Sequence, residues 1–148
     1  TVKLNRQQYQ LRSGRERLKL EFVYFPFPAL LKPKLVKNWP VKIDSLTDLA
    51  ANKIFALYER GEPKDAVDLF YIHQRQKWPL AQLTAWAQKK FGIELDQALL
   101  TSRALEAADR LANVRPLFAR KVDLKKLQNK VETLFRRAGQ KYLSKLLV

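Results

Sequence analysis

An α+β protein, with a short N-terminal β-hairpin or sheet followed by a mainly α-helical region, is predicted by three observations. Polar and apolar residues alternate over residues 2–25, the two-residue period of a strand. From Asp44 onward the spacing becomes helical, punctuated by Gly61, Gly92 and Pro116. The chain has 148 residues, 47% apolar and 11% aromatic, enough for the core of about one domain.

The elements follow in order. Residues 2–11 and 18–25 read as strands joined by a turn at Ser13-Gly14-Arg15-Glu16. Leu18, Leu20, Phe22 and Tyr24 share one face of the second strand, and Lys19, Glu21, Val23 and Phe25 the other. Pro26 and Pro28 end it. Residues 29–40, with two more prolines, read as a loop or edge segment, and Val41-Lys42-Ile43 as a short strand. A helix then begins under a Ser45 or Thr47 cap, with Asp48 suiting its positive end, and runs to about Arg60 before Gly61. Pro63 opens a second helix over 63–76. Further helices are expected over 79–91, over 94–113 and from Asp123 to the C-terminus, with Gly139 a candidate interruption. The division falls into a β-rich segment, 1–43, and a helical one, 44–148.

Composition excludes several functions. With no Cys there are no disulfides, thiolate nucleophiles or Cys-zinc sites. The single His73 removes His-rich metal sites and reads as a packing or surface residue. Trp39, Trp78 and Trp86 read as core or loop anchors. No apolar run is long enough to span a bilayer, and Thr1-Val2-Lys3-Leu4 lacks the apolar core of a signal peptide. A cytoplasmic protein with no membrane partner is expected. With no Met in the chain, Thr1 is expected to be an internal residue of a longer protein.

The formal charge is +15. Residues 1–40 carry nine basic and two acidic side chains, residues 41–78 six of each, and residues 79–148 fourteen and six. A neutral centre between basic flanks suits a chemical site framed by surfaces that attract polyanions.

Within that centre one lysine breaks the pattern. On the first helix Leu46, Leu49, Ala50, Leu57 and Arg60 fall on one side, with Lys53 in mid-stripe. An unpaired buried ammonium costs several kcal/mol, on the order of a lost ion pair, so Lys53 needs an anion. Asp65 and Asp68, three apart, share a face of the second helix. The three-residue turn Gly61-Glu62-Pro63 makes the helices neighbours. Lys53, Arg60, Lys64, Asp65 and Asp68 are expected to converge. Two readings stand at this point: a buried ion network that fixes how the helices pack, or a polar site in which Lys53 and Arg60 hold phosphates.

The stretch Leu20 to Pro28 (LEFVYFPFP), with Asp48-Leu49-Ala50-Ala51-Asn52-Lys53, Ala56-Leu57-Tyr58-Glu59-Arg60-Gly61 and Lys64-Asp65-Ala66-Val67-Asp68-Leu69, resembles the AbiEii-type nucleotidyltransferase toxins of type IV toxin–antitoxin systems. The resemblance covers about residues 18–75. It implies that residues 1–43 are a remnant of a nucleotidyltransferase core. It implies an NTP substrate with Mg2+, an acceptor such as RNA, and a cognate antitoxin as partner. Glu21 would then stand as the third catalytic acid and a metal ligand, although the family's usual acid there is Asp. Lys53 would be the nucleotide-contacting lysine and Asp65 the acid of the lysine–acid motif. Arg60 and Lys64 would be phosphate-binding cations, and Asp68 a support. The Gly-Ser turn and D-x-D pair of such enzymes are missing; on the family pattern they precede the strand bearing Glu21. A chain limited to these residues is therefore expected not to catalyse alone. The competing reading is a non-catalytic basic helical module that binds nucleic acid or a partner protein, with the cations from Arg110 to Arg137 tracking an RNA backbone.

Overall fold

The computed structural model describes residues 6–118 and 120–147. It has the mixed α+β architecture expected, with four strands and then five α-helices. β1 (Arg6–Ser13) and β2 (Glu16–Val23) form an antiparallel hairpin. Gly14 takes φ 60 in its two-residue loop, the positive φ that such a tight hairpin asks of one residue. The register pairs Leu11 with Leu18, Tyr9 with Leu20 and Gln7 with Phe22, which gathers the apolar side chains on one face. All hairpin residues are nonetheless exposed. The start predicted at residues 2–5 lies outside the described residues. The second strand ends two residues before the predicted 25, because Pro26 and Pro28 prevent further pairing. Part of the expected loop forms β3 (Lys34–Leu35), which pairs with β4 (Lys42–Ile43).

α1 (Leu46–Arg60) starts at Ser45, whose hydroxyl accepts from the Asp48 N–H, and stops at Gly61 in the left-handed region at φ 59. α2 (Pro63–Gln76) opens with proline at its first position, as its fixed φ favours. α3 (Leu80–Phe91) ends at Gly92. The fourth predicted helix is shorter than expected. α4 (Gln97–Asp109) begins only after the Asp96 cap, whose side chain accepts from Ala98 N and Leu99 N. Beyond it Leu111–Leu117 winds as a tighter 3₁₀ helix, as helices often do near their ends.

α5 (Leu124–Leu146) runs through Gly139 without a break. A Cβ at Gly139 would lie 3.0 Å from the Thr101 side chain. The glycine lets α5 approach α4 closely and does not interrupt it.

The core is helical. Ile54, Leu57, Leu69, Leu83, Leu111 and Val131 are fully buried or nearly so, each worth roughly 1.5–3 kcal/mol of apolar transfer. α1 packs on α2, α3 and α4, and α4 packs on α5. The buried face of α1 is Asp48, Ala50, Ala51, Ile54 and Leu57. Leu46 and Leu49, placed in the stripe from sequence, are about two-fifths exposed. The stripe is therefore rotated, and Lys53 lies on its edge, not at its centre. Trp78 and Trp86 pack edge to face at 4.9 Å, as anchors should. Trp39, by contrast, stands 61% exposed, so it is not the buried anchor expected.

Candidate functional site

The short Gly61-Glu62-Pro63 turn folds α2 back beside α1. It brings together four of the five residues picked out from the sequence, Lys53, Arg60, Asp65 and Asp68. Lys53 Nζ donates to Asp65 Oδ1 at 3.0 Å and lies 2.6 Å from Asp68 Oδ2. Arg60 donates to Asp65 Oδ2 through Nε at 3.1 Å and Nη2 at 2.8 Å. Asp65 is completely buried, while the Lys53 side chain is 23% exposed and that of Asp68 47%. Lys64 stands exposed at the rim of the turn.

Two opposing effects act on Lys53. Burial favours loss of its proton, but Asp68 and Asp65 outweigh it and raise its pKa above the ordinary lysine value. The group is a cation held between one buried and one half-exposed carboxylate. Asp65 has no route to water. Asp68 reaches solvent.

Glu21 does not join this cluster. It lies on exposed β2 opposite Gln8, bound to Arg6 and Lys19. Those two cations hold its carboxyl below the ordinary range.

A second carboxylate node escaped the sequence reading. Asp48, read there only as a complement to the helix dipole, is fully buried and accepts from Lys90 Nζ at 2.7 Å and Ser45 Oγ at 2.7 Å. It also accepts from the Leu30 and Leu31 N–H groups at 2.8 and 3.1 Å. Burial pushes its pKa up, but these donors prevail and hold it far below the usual carboxylate range. The node ties the segment after the hairpin to α1 and α3. Phe25, Phe27, Phe55 and Phe91 pack around the same junction, with Phe55 stacked on Phe91 at 4.0 Å. The signal was present: Lys90 follows Leu83 and Ala87 on the buried side of α3, the same mid-stripe lysine that exposed Lys53.

Arg110 also has a structural task. Its Nη2 donates to the Gly61 carbonyl at 2.6 Å, so it braces the α1–α2 turn. His73 Nδ1 lies 2.7 Å from the Trp78 carbonyl oxygen, in keeping with a packing role.

The fold and this cluster define a basic α+β protein whose two successive helices hold a lysine–carboxylate node open to solvent. The profile of the family described as nucleotidyl transferase AbiEii toxin, type IV TA system, matches residues 2–141; the chain belongs to that family. A curated relative, an uncharacterized protein of Aquifex aeolicus (strain VF5), is 25% identical over 126 residues. The match covers 85% of this chain, and the chain spans 58% of the relative's length. No solved structure matches the chain.

Proposed function

We propose that the protein serves as a nucleotidyltransferase that moves a nucleotide from an NTP to an RNA acceptor, with Lys53 gripping the triphosphate. In that reaction an acceptor hydroxyl oxygen bonds to the α-phosphorus and loses its proton. The bond from the α-phosphorus to the bridging oxygen breaks, and pyrophosphate leaves. Such transfers depend mainly on position and charge neutralisation. A lysine aimed by a buried carboxylate supplies both, because its charge acts in a partly dry setting. Arg60, fixed by the same Asp65, and exposed Lys64 extend the cationic rim. Asp68 occupies the phosphate position until the nucleotide arrives. The observation that carries the reading is that fully buried Asp65 holds two cations, one of which also meets a half-exposed partner.

Magnesium bound with the NTP belongs to the same proposal, since nucleotidyltransferases commonly use divalent cations. Among the described residues no three His, Cys, Asp or Glu side chains gather to hold a metal. Glu21, the proposed metal carboxylate and catalytic acid, is already engaged by two cations. These residues do not make a magnesium site by themselves. A Gly-Ser turn followed by Asp-x-Asp elsewhere in the encoded protein would supply the missing ligands.

The RNA acceptor is supported by the basic C-terminal half, where Arg115, Arg120 and Lys121 line a depression of about 270 Å³ with no acidic neighbour in its lining. An antitoxin partner follows from the family, and a cytoplasmic site of action is part of the proposal. Among the described residues no helix is long and apolar enough to cross a membrane.

A second reading has its own observation. Both cations of the cluster already have carboxylate partners, which suits a non-catalytic helical module whose ion network only joins α1 to α2. Nucleotide transfer by the whole encoded protein, assayed with each of the four labelled NTPs and RNA, decides between them. Loss of transfer in Lys53→Ala and Asp65→Ala with helix content intact supports the enzyme. Helix content falling in proportion to activity supports the module.

A further inference from the structure

A large groove lies away from the Lys53 cluster. It has a volume of about 1370 Å³, with α5 as one wall and α3, the end of α2 and the loop before α4 as the other. Its volume exceeds the roughly 300–1,000 Å³ typical of small-molecule sites. Its lining on α5 extends from Asp123 to Lys145, on the order of 30 Å at 1.5 Å per residue.

The walls differ in chemistry. On α3 the groove presents Ala81 and Ala85, both exposed, beside buried Thr84. Side chains this small let another helix approach closely, toward the lower end of the usual 8–10 Å axis separation. On α5, half-buried Leu134 and Ala138 continue the apolar floor. Above them exposed Lys126, Lys130, Arg137, Lys141 and Lys145 form a basic rim. Only Glu94 and Asp123 among the lining residues are acidic, and Asp123 is taken up in capping α5, accepting from the Lys126 N–H at 3.0 Å.

From this geometry we infer that the groove between α3 and α5 docks an acidic amphipathic helix of a partner protein. Its apolar stripe lies on Ala81, Ala85, Leu134 and Ala138, and its Asp and Glu side chains meet the α5 rim. Helix-in-groove recognition needs this combination of apolar floor and charged margin. RNA fits the floor poorly. Single-stranded bases need aromatic platforms, and of the aromatic side chains in the lining Phe70 is buried and His73 is half-buried with its Nδ1 against the Trp78 carbonyl, leaving Tyr142 at the groove's end.

The test uses the 148-residue protein and a labelled 20-residue helical peptide, with Leu at every third or fourth position and Glu on both flanks, followed by fluorescence anisotropy. Saturable binding is expected. Ala81→Leu with Ala85→Leu fills the floor without altering charge and should weaken binding about tenfold or more. Lys130→Glu with Arg137→Glu should do the same from the rim. All four positions are half-buried or exposed, and circular dichroism checks that each variant folds. Equal binding by a shuffled peptide of the same composition would overturn the proposal, since charge alone would explain it. So would the absence of binding, or displacement by an RNA hairpin whose own affinity the floor variant lowers equally. A dimer of the protein that buries this face and resists the peptide would also overturn it.

Discussion

Asp48 and Asp65 are both completely buried carboxylates on successive helices, and each holds a lysine. They differ in what surrounds the lysine. Lys90 is sealed, with its side chain 2% exposed, whereas Lys53 is 23% exposed and shared with a carboxylate that reaches water. Asp48 has four donors from three parts of the chain. Asp65 has two cations, one of them half exposed. A sealed node of this kind can only hold segments together. On the proposed function, the open one trades Asp68 for a phosphate while Asp65 stays paired with Lys53.

The largest effect expected from this contrast is at the sealed node. Asp48→Ala leaves the Lys90 ammonium buried without an anion and should cost about 3–5 kcal/mol of unfolding free energy, as breaking a buried pair does. Urea denaturation reads it directly. A loss as small as that of a surface pair would show that the node is wetter than it looks, and the contrast with Lys53 would fail.

The pH profile sharpens the same point. The Asp48 carboxyl is depressed in the folded state. Its contribution is therefore complete above the unfolded carboxylate value, about 3.9, and is lost as pH falls through its lower folded value. Stability should decline below about pH 4, and Asp48→Asn should flatten that decline. Lys53 acts at the other end. Its pKa is raised, so its contribution is complete below the unfolded value of about 10.4 and is lost as pH rises through the folded value. Lys53→Met should remove that weaker alkaline dependence. The smallest effect is expected at the hairpin: Glu21→Gln should leave the denaturation midpoint unchanged, because that carboxylate is exposed and pairs only with exposed cations.

Much of this was legible in the sequence, and the misses have physical causes. The caps and glycines bounded α1, α2 and α3 because their signals are local. The i, i+3 spacing of Asp65 and Asp68 and the short turn after Arg60 sufficed to place the cluster. The burial of α1 was not legible, since which side of a helix faces inward depends on what packs there; Ile54 is buried and Leu49 is left outside. Asp48 was misjudged for a related reason. Its partners Lys90, Leu30 and Leu31 come from distant parts of the chain, and no local rule names them. Gly139 read as a break because its neighbour Thr101 belongs to another helix.

The claim that the open node handles phosphate while the sealed one is architecture is tested most directly by Lys53→Met in the whole encoded protein. Nucleotide transfer and unfolding free energy should be measured on the same preparation. Transfer should fall by about a hundredfold or more, as when a preorganised charge is removed from a transition state, with less stability lost than in Asp48→Ala, because Arg60 still pairs with Asp65. Undiminished transfer, or activity and stability falling together, would contradict it.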